Sequence, residues 1–205
     1  MKKYLAILSA TALIGVAPYA LANSTTELTV TGLITPAACV PELSNGGIVE
    51  HGKVSAKDLK QTTETLLARH TLQFRVLCDS ATLYTLKPID NRPNTGHDGD
   101  LFGLGKINGD QKLGGFQGFI RNAIADNVPA TVLNSRNNGD TWVQTSYMRP
   151  TTINAFGSPA DPTTPIAIKE LLADLQISTY IARADSLDLT AEAPINGSAT
   201  LEIKY

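Results

Sequence analysis

Apolar and polar positions alternate with a period of two along much of the chain. Leu28, Val30, Gly32 and Ile34 share one side of an extended run, with Thr29, Thr31 and Leu33 on the other. Leu72, Phe74, Val76 and Cys78 alternate with Thr71, Gln73, Arg75 and Leu77, and Leu175, Ile177, Thr179 and Ile181 form a third run. A fourth sets Ala199, Leu201, Ile203 and Tyr205 against Ser198, Thr200, Glu202 and Lys204. Side chains that alternate in this way point to opposite faces of a strand, so each run predicts a strand with one buried face. Turn signals punctuate them: Ser44-Asn45-Gly46-Gly47, Asn91-Arg92-Pro93-Asn94, Asn108-Gly109-Asp110, Asn137-Asn138-Gly139-Asp140 and Asn196-Gly197. Short strands separated by regular turns predict an all-β sandwich or barrel.

Two stretches read as short helices. Ser55–Leu67 offers Ser55 as a cap and Leu59, Leu66 and Leu67 on one side, weakened by its threonines. Pro165–Leu172 has proline at the first helical position. Gly157–Pro165, with three prolines, reads as a loop, and Thr141–Met148 as one strand-like run whose Trp142 and Tyr147 are expected in the core. A sugar-stacking surface there is the alternative.

Met1–Ala22 reads as a bacterial secretory signal: Lys2 and Lys3, an apolar stretch, then the small-x-small Ala20-Leu21-Ala22 with cleavage between Ala22 and Asn23. The apolar stretch is short for a membrane span, and none is expected after signal removal. The mature part, residues 23–205, reads as a single domain. Export turns Cys39 and Cys78, the two cysteines of the 205-residue chain, into a candidate disulfide. A free thiol or a metal ligand is the alternative.

Composition narrows the functions. With 17 basic and 19 acidic residues the formal net charge is −2, which provides no long-range attraction for nucleic acid. His51, His70 and His97 lie far from one another in sequence, so no metal pair is visible and no metal is expected. His97-Asp98-Gly99-Asp100 lacks the closing glutamate and ligand spacing of a calcium loop. The cluster Gly103, Gly105, Gly114, Gly115 and Gly118 lacks the spacing of a phosphate cradle and reads as tight turns or close strand approach. Nucleophile motifs are absent from the sequence, so no catalytic residue, cofactor or enzymatic activity is expected.

The order of several segments resembles the subunits of chaperone–usher fimbriae. Thr31–Cys39 is similar to the first strand of those pilins, and Phe74–Asp79 to the strand bearing the second cysteine. Asp90-Asn91-Arg92, Phe102–Gly105, Lys112–Phe116 and Ala199–Tyr205 resemble further landmarks, the last being the C-terminal strand with its tyrosine. The similarity spans most of the mature chain and is nearest to a poorly characterised group of fimbrial-like exported proteins. It implies an incomplete immunoglobulin-like β-sandwich that lacks its last strand. The missing strand would come first from a periplasmic chaperone, then from a neighbouring fimbrial subunit at the outer-membrane usher, by β-augmentation. The resemblance also implies cell-surface localisation, a structural role in adhesion, and a C-terminal strand that faces the chaperone through Leu201, Ile203 and Tyr205. Two features depart from the pattern. Tyr205 is terminal rather than followed by one residue, and only Asn23–Ala38 separates the cleavage site from Cys39. Leu28, Val30, Gly32 and Ile34 therefore serve as a donor strand or as the first strand. The alternative function is a monomeric exported binding module, for carbohydrate.

Overall fold

The computed structural model describes residues 38–205. The signal segment, the cleavage position at Ala22 and Asn23, and the run Leu28, Val30, Gly32 and Ile34 lie outside the described residues. In chain order the strands are β1 (Cys39–Leu43), β2 (Thr65–Leu66), β3 (His70–Thr82), β4 (Thr85–Asp90), β5 (Phe102–Gly103), β6 (Lys106–Ile107), β7 (Gln111–Lys112) and β8 (Gly114–Ala125). They continue with β9 (Val128–Pro129), β10 (Thr131–Ser135), β11 (Val143–Gln144), β12 (Tyr147–Met148), β13 (Ile153–Ser158), β14 (Asp161–Pro165), β15 (Ile168–Ile181) and β16 (Ala199–Lys204).

Among the described residues these form two antiparallel sheets and one small hairpin, β6–β7. The first sheet runs β1-β3-β15-β8-β12, with β2 on β15 and with β5 and β9 on β8. The second runs β11-β10-β13-β4-β16, with β14 on β13. The inner faces follow from the period-two pattern. Leu72, Phe74, Val76 and Cys78 are all buried, as are Leu175, Ile177, Thr179 and Ile181. Phe74, Val76, Cys78, Leu175 and Ile177 meet Leu86, Phe102, Ile120, Phe156, Ile168 and Leu171 in one core between the sheets. This is the expected all-β sandwich. A second, smaller apolar cluster gathers Leu59, Leu104, Leu113 and Ile181 at one end.

The turn signals at Ser44–Gly47, Asn108-Gly109 and Asn138-Gly139 place residues in the left-handed region that Asn and Gly tolerate, with Asn45 at φ 53°, Asn108 at 49° and Asn138 at 58°. Asn196-Gly197 is different. It makes no hairpin turn, and Gly197 is needed for packing: a Cβ there would lie 2.8 Å from Leu104 Cδ2 and 2.9 Å from Phe116 Cε1. Close approach is also the role of Gly114, where a Cβ would stand 2.1 Å from the Tyr180 carbonyl oxygen.

Neither expected helix forms. Ser55–Leu67 contributes only a 3₁₀ turn at Ala56–Asp58, whose Lys57 N–H donates to the Ser55 hydroxyl at 3.3 Å. The Thr65 hydroxyl accepts from the Lys60 N–H at 2.8 Å, and Thr65 and Leu66 pair with β15. A side chain that competes for backbone groups and a ready strand partner together outweigh a weak helix propensity. At Pro165–Leu172 the helical spacing of Ile168 and Leu171 comes from a register shift between Ile168 and Glu170, which moves the inward positions from even to odd numbers. The supposed loop Gly157–Pro165 contains β14, an outer strand where prolines cost no ladder bond. Thr141–Met148 is two strands in different sheets, β11 on β10 and β12 on β8. Buried Asn134 and Asn154 of the second sheet each donate to the Tyr147 carbonyl, at 3.2 and 2.9 Å, and so tie β12 across the sandwich.

Candidate functional site

The sandwich is unevenly closed. At one side β1 ends the first sheet and β16 ends the second, and among the described residues neither outer edge has a strand partner. β1 is paired inward with β3, from Cys39 opposite Cys78 to Leu43 opposite Phe74. β16 is paired inward with β4, from Ala199 opposite Asp90 to Lys204 opposite Thr85. Between these edges the core is only partly covered. Cys39, Leu43 and Val49 on one lip, and Ala199, Leu201 and Ile203 on the other, pack against the core yet stay only partly buried. A cavity of about 180 Å³ opens between them, floored by Leu72, Phe116, Met148 and Leu175.

One end of this groove is latched. The Cys39 N–H donates to the Tyr205 phenol oxygen at 2.8 Å, joining the start of β1 to the residue after β16. The Cys39–Cys78 disulfide lies at the same end. It is the bridge expected from the sequence, and neither cysteine is free. The other end is polar. His51 Nε2 lies 2.9 Å from Thr179 Oγ1, and the His70 ring stands edge-on to His51 with centroids 4.8 Å apart. Burial, reinforced by His70, lowers the His51 pKa below the usual histidine value.

The three C-terminal positions singled out in the sequence have different places. Leu201 lines the cavity, Ile203 packs on the core, and Tyr205 is 56% exposed apart from its latch. Glu202 and Lys204, on the opposite face, form an ion pair at 3.4 Å. Other candidates lie apart from the groove. Tyr147 is exposed on an outer strand, not in the core; its ring meets Phe119 at 5.2 Å and the Arg149 guanidinium at 4.5 Å. Trp142 is half-buried beside Gly139. His97 pairs with Glu64 at 2.8 Å, and Asp100 with Arg149 at 2.5 Å. Among the described residues no cluster of three or more His, Cys, Asp or Glu is placed to hold a metal. No helix there is long and apolar enough to cross a membrane.

Sequence reasoning missed the lips built from irregular segments, Val49–His51 and Ile195–Ser198. They have no periodicity, so only their packing identifies them.

Comparison with known proteins adds kinship without an activity. Residues 28–100 match the family model described as "Protein of unknown function (DUF1120)". The chain is 25% identical to the "Uncharacterized protein YhcF" of Escherichia coli (strain K12) over 205 residues, covering 82% of this chain and 85% of that protein. It is 35% identical to "Protein GltF" of the same strain over 77 residues, covering 36% of this chain and 30% of that protein.

Proposed function

We propose that the chain is an exported structural subunit of a surface fimbria, and that the groove between β1 and β16 receives a β-strand from another chain. The observation that carries this reading is the pair of strand edges, unpartnered among the described residues, that flank a partly covered core. A strand laid against β16 would satisfy the edge with backbone hydrogen bonds and set alternate apolar side chains over Leu72, Phe116 and Leu175. Left open, the same edge and apolar surface invite aggregation. During export a periplasmic chaperone supplies the strand, and at the outer-membrane usher a neighbouring subunit replaces it. Leu201, Ile203 and Tyr205 present the edge that the partner reads, and the finished fibre serves adhesion at the cell surface.

The test is thermal unfolding of mature protein with a donor strand added, either as the synthetic peptide Glu27–Ile34 or fused after Tyr205. A donor that binds only the folded state at a hundred times its Kd stabilises by about 2.7 kcal/mol. For a chain of this size that raises Tm by roughly 5–10 °C. High, reversible stability that no donor changes would refute the reading.

A further inference from the structure

The cavity between the sheets does not stop at the end of β16. Val49, His51 and Ile195 line both it and a second cleft of about 970 Å³, so the two adjoin. The walls of the second cleft are residues 49–56 on one side and 189–195 on the other, apart from the 3₁₀ turn that begins at Ala56 both irregular. Leu59, Leu113 and Ile181 of the smaller apolar cluster form its floor. Glu50, Lys53 and Glu192 lie exposed along it. β16 starts at Ala199, so a strand that follows the groove past Ser198 leaves the sheet edge and enters this cleft.

Resting on the strand-insertion reading above, we infer that the inserted strand is gripped a second time in this cleft, and that the occupant is the segment before Ala38 of a second copy of this chain. Ala38 itself is engaged with its own β3: its N–H donates to Asp79 Oδ2 at 3.2 Å, and its carbonyl accepts from the Asp79 N–H at 3.0 Å. Any segment donated to a neighbour therefore ends at Ala37. Asn23–Ala37 when extended spans about 50 Å, against about 20 Å for the six residues of β16. It is long enough to fill the groove and continue.

Direction follows from the fold. Every strand pair in both sheets is antiparallel. A donor antiparallel to β16 enters at the Tyr205 end and leaves at the His51 end. Leu28, Val30, Gly32 and Ile34 then lie over the groove, and Thr35, Pro36 and Ala37 enter the cleft. These three are small and uncharged, suited to a slot walled by Ala191, Ala193 and Pro194. Pro36, lacking an N–H, would forfeit a ladder bond on a sheet edge but loses none beyond Ser198.

The experiment uses three labelled peptides and the mature chain, read by fluorescence anisotropy: Glu27–Ile34, Glu27–Ala37 and Asn23–Ile34. The expected result is that Glu27–Ala37 binds about tenfold more tightly than Glu27–Ile34, because the added residues bury apolar surface. Asn23–Ile34, extended at the other end, gains less than about threefold. Ala191→Trp, an exposed substitution that fills the cleft, abolishes the gain of Glu27–Ala37 and leaves Glu27–Ile34 binding unchanged. Thr190→Trp on the same wall serves if that variant does not fold. Equal binding of Glu27–Ile34 and Glu27–Ala37 overturns the second grip while strand insertion stands. So does a gain that survives the tryptophan, or one that belongs to Asn23–Ile34. Failure of all three peptides to bind refutes strand insertion itself.

Discussion

Reducing the Cys39–Cys78 bridge isolates one term in the stability of the sandwich. The bridge joins residues 39 apart in sequence and directly opposite in the β1–β3 ladder. In the chain-entropy model a loop of that length removes unfolded-state freedom worth about 3–4 kcal/mol. Reduction is the cleaner perturbation than replacement. It leaves both sulfurs in place, whereas Cys78→Ala would also open space at a site only 2% exposed, and Cys78→Ser would bury a hydroxyl. The assay is urea unfolding of oxidised and dithiothreitol-treated protein spanning residues 23–205, followed through the fluorescence of Trp142, the single tryptophan. With m near about 2 kcal/mol/M, the midpoint should fall by roughly 1.5–2 M. If the open groove leaves the isolated chain with less stability than the bridge contributes, reduction unfolds it without denaturant, which has the same sign. The Cys39 N–H should also exchange faster on reduction, because β1 then loses its covalent tie to β3 and keeps only non-covalent ones such as the β3 ladder and the Tyr205 latch. A midpoint shift under about 0.5 M would refute the entropic account.

Two further predictions concern packing and pH. Gly114→Ala drives a Cβ into the Tyr180 carbonyl within the β8–β15 ladder and should cost about 2–3 kcal/mol. Gly99→Ala, where nothing lies within 4 Å, should stay within about 0.5 kcal/mol; equal Tm values for the two variants would contradict the close-approach argument. The lowered pKa of His51 means that the unfolded chain takes up its proton first as pH falls, so stability should decline from about pH 7 down through the histidine range. His51→Gln should flatten that decline in denaturation midpoints measured between about pH 7.5 and 5, and an unchanged slope would show that another group is responsible.

The fold class was legible because a half-buried strand imposes a two-residue period, which Leu72–Cys78 of β3 and Leu171–Ile177 of β15 obey. The disulfide was legible because a chain with two cysteines offers a single pairing. What misled was local. Ile168 and Leu171 have helical spacing only because a bulge shifts register within one long strand. Ser55 does cap a turn, but Thr65 and Leu66 find a partner in β15, which no local propensity reveals. Tyr147 looked like core because it is an aromatic residue in a strand-like run, yet it lies on the outermost strand of its sheet.

The amino-acid sequence by itself determined which faces are apolar, where the chain turns and which cysteines can meet, since all three depend on near neighbours and residue chemistry. Tertiary structure alone decided which strands lie at the sheet edges, because strand order is set by pairings tens of residues apart. Among the described residues it therefore decided that β1 and β16 flank a partly covered core, that Tyr205 reaches Cys39, and that two irregular segments wall the cleft beyond them.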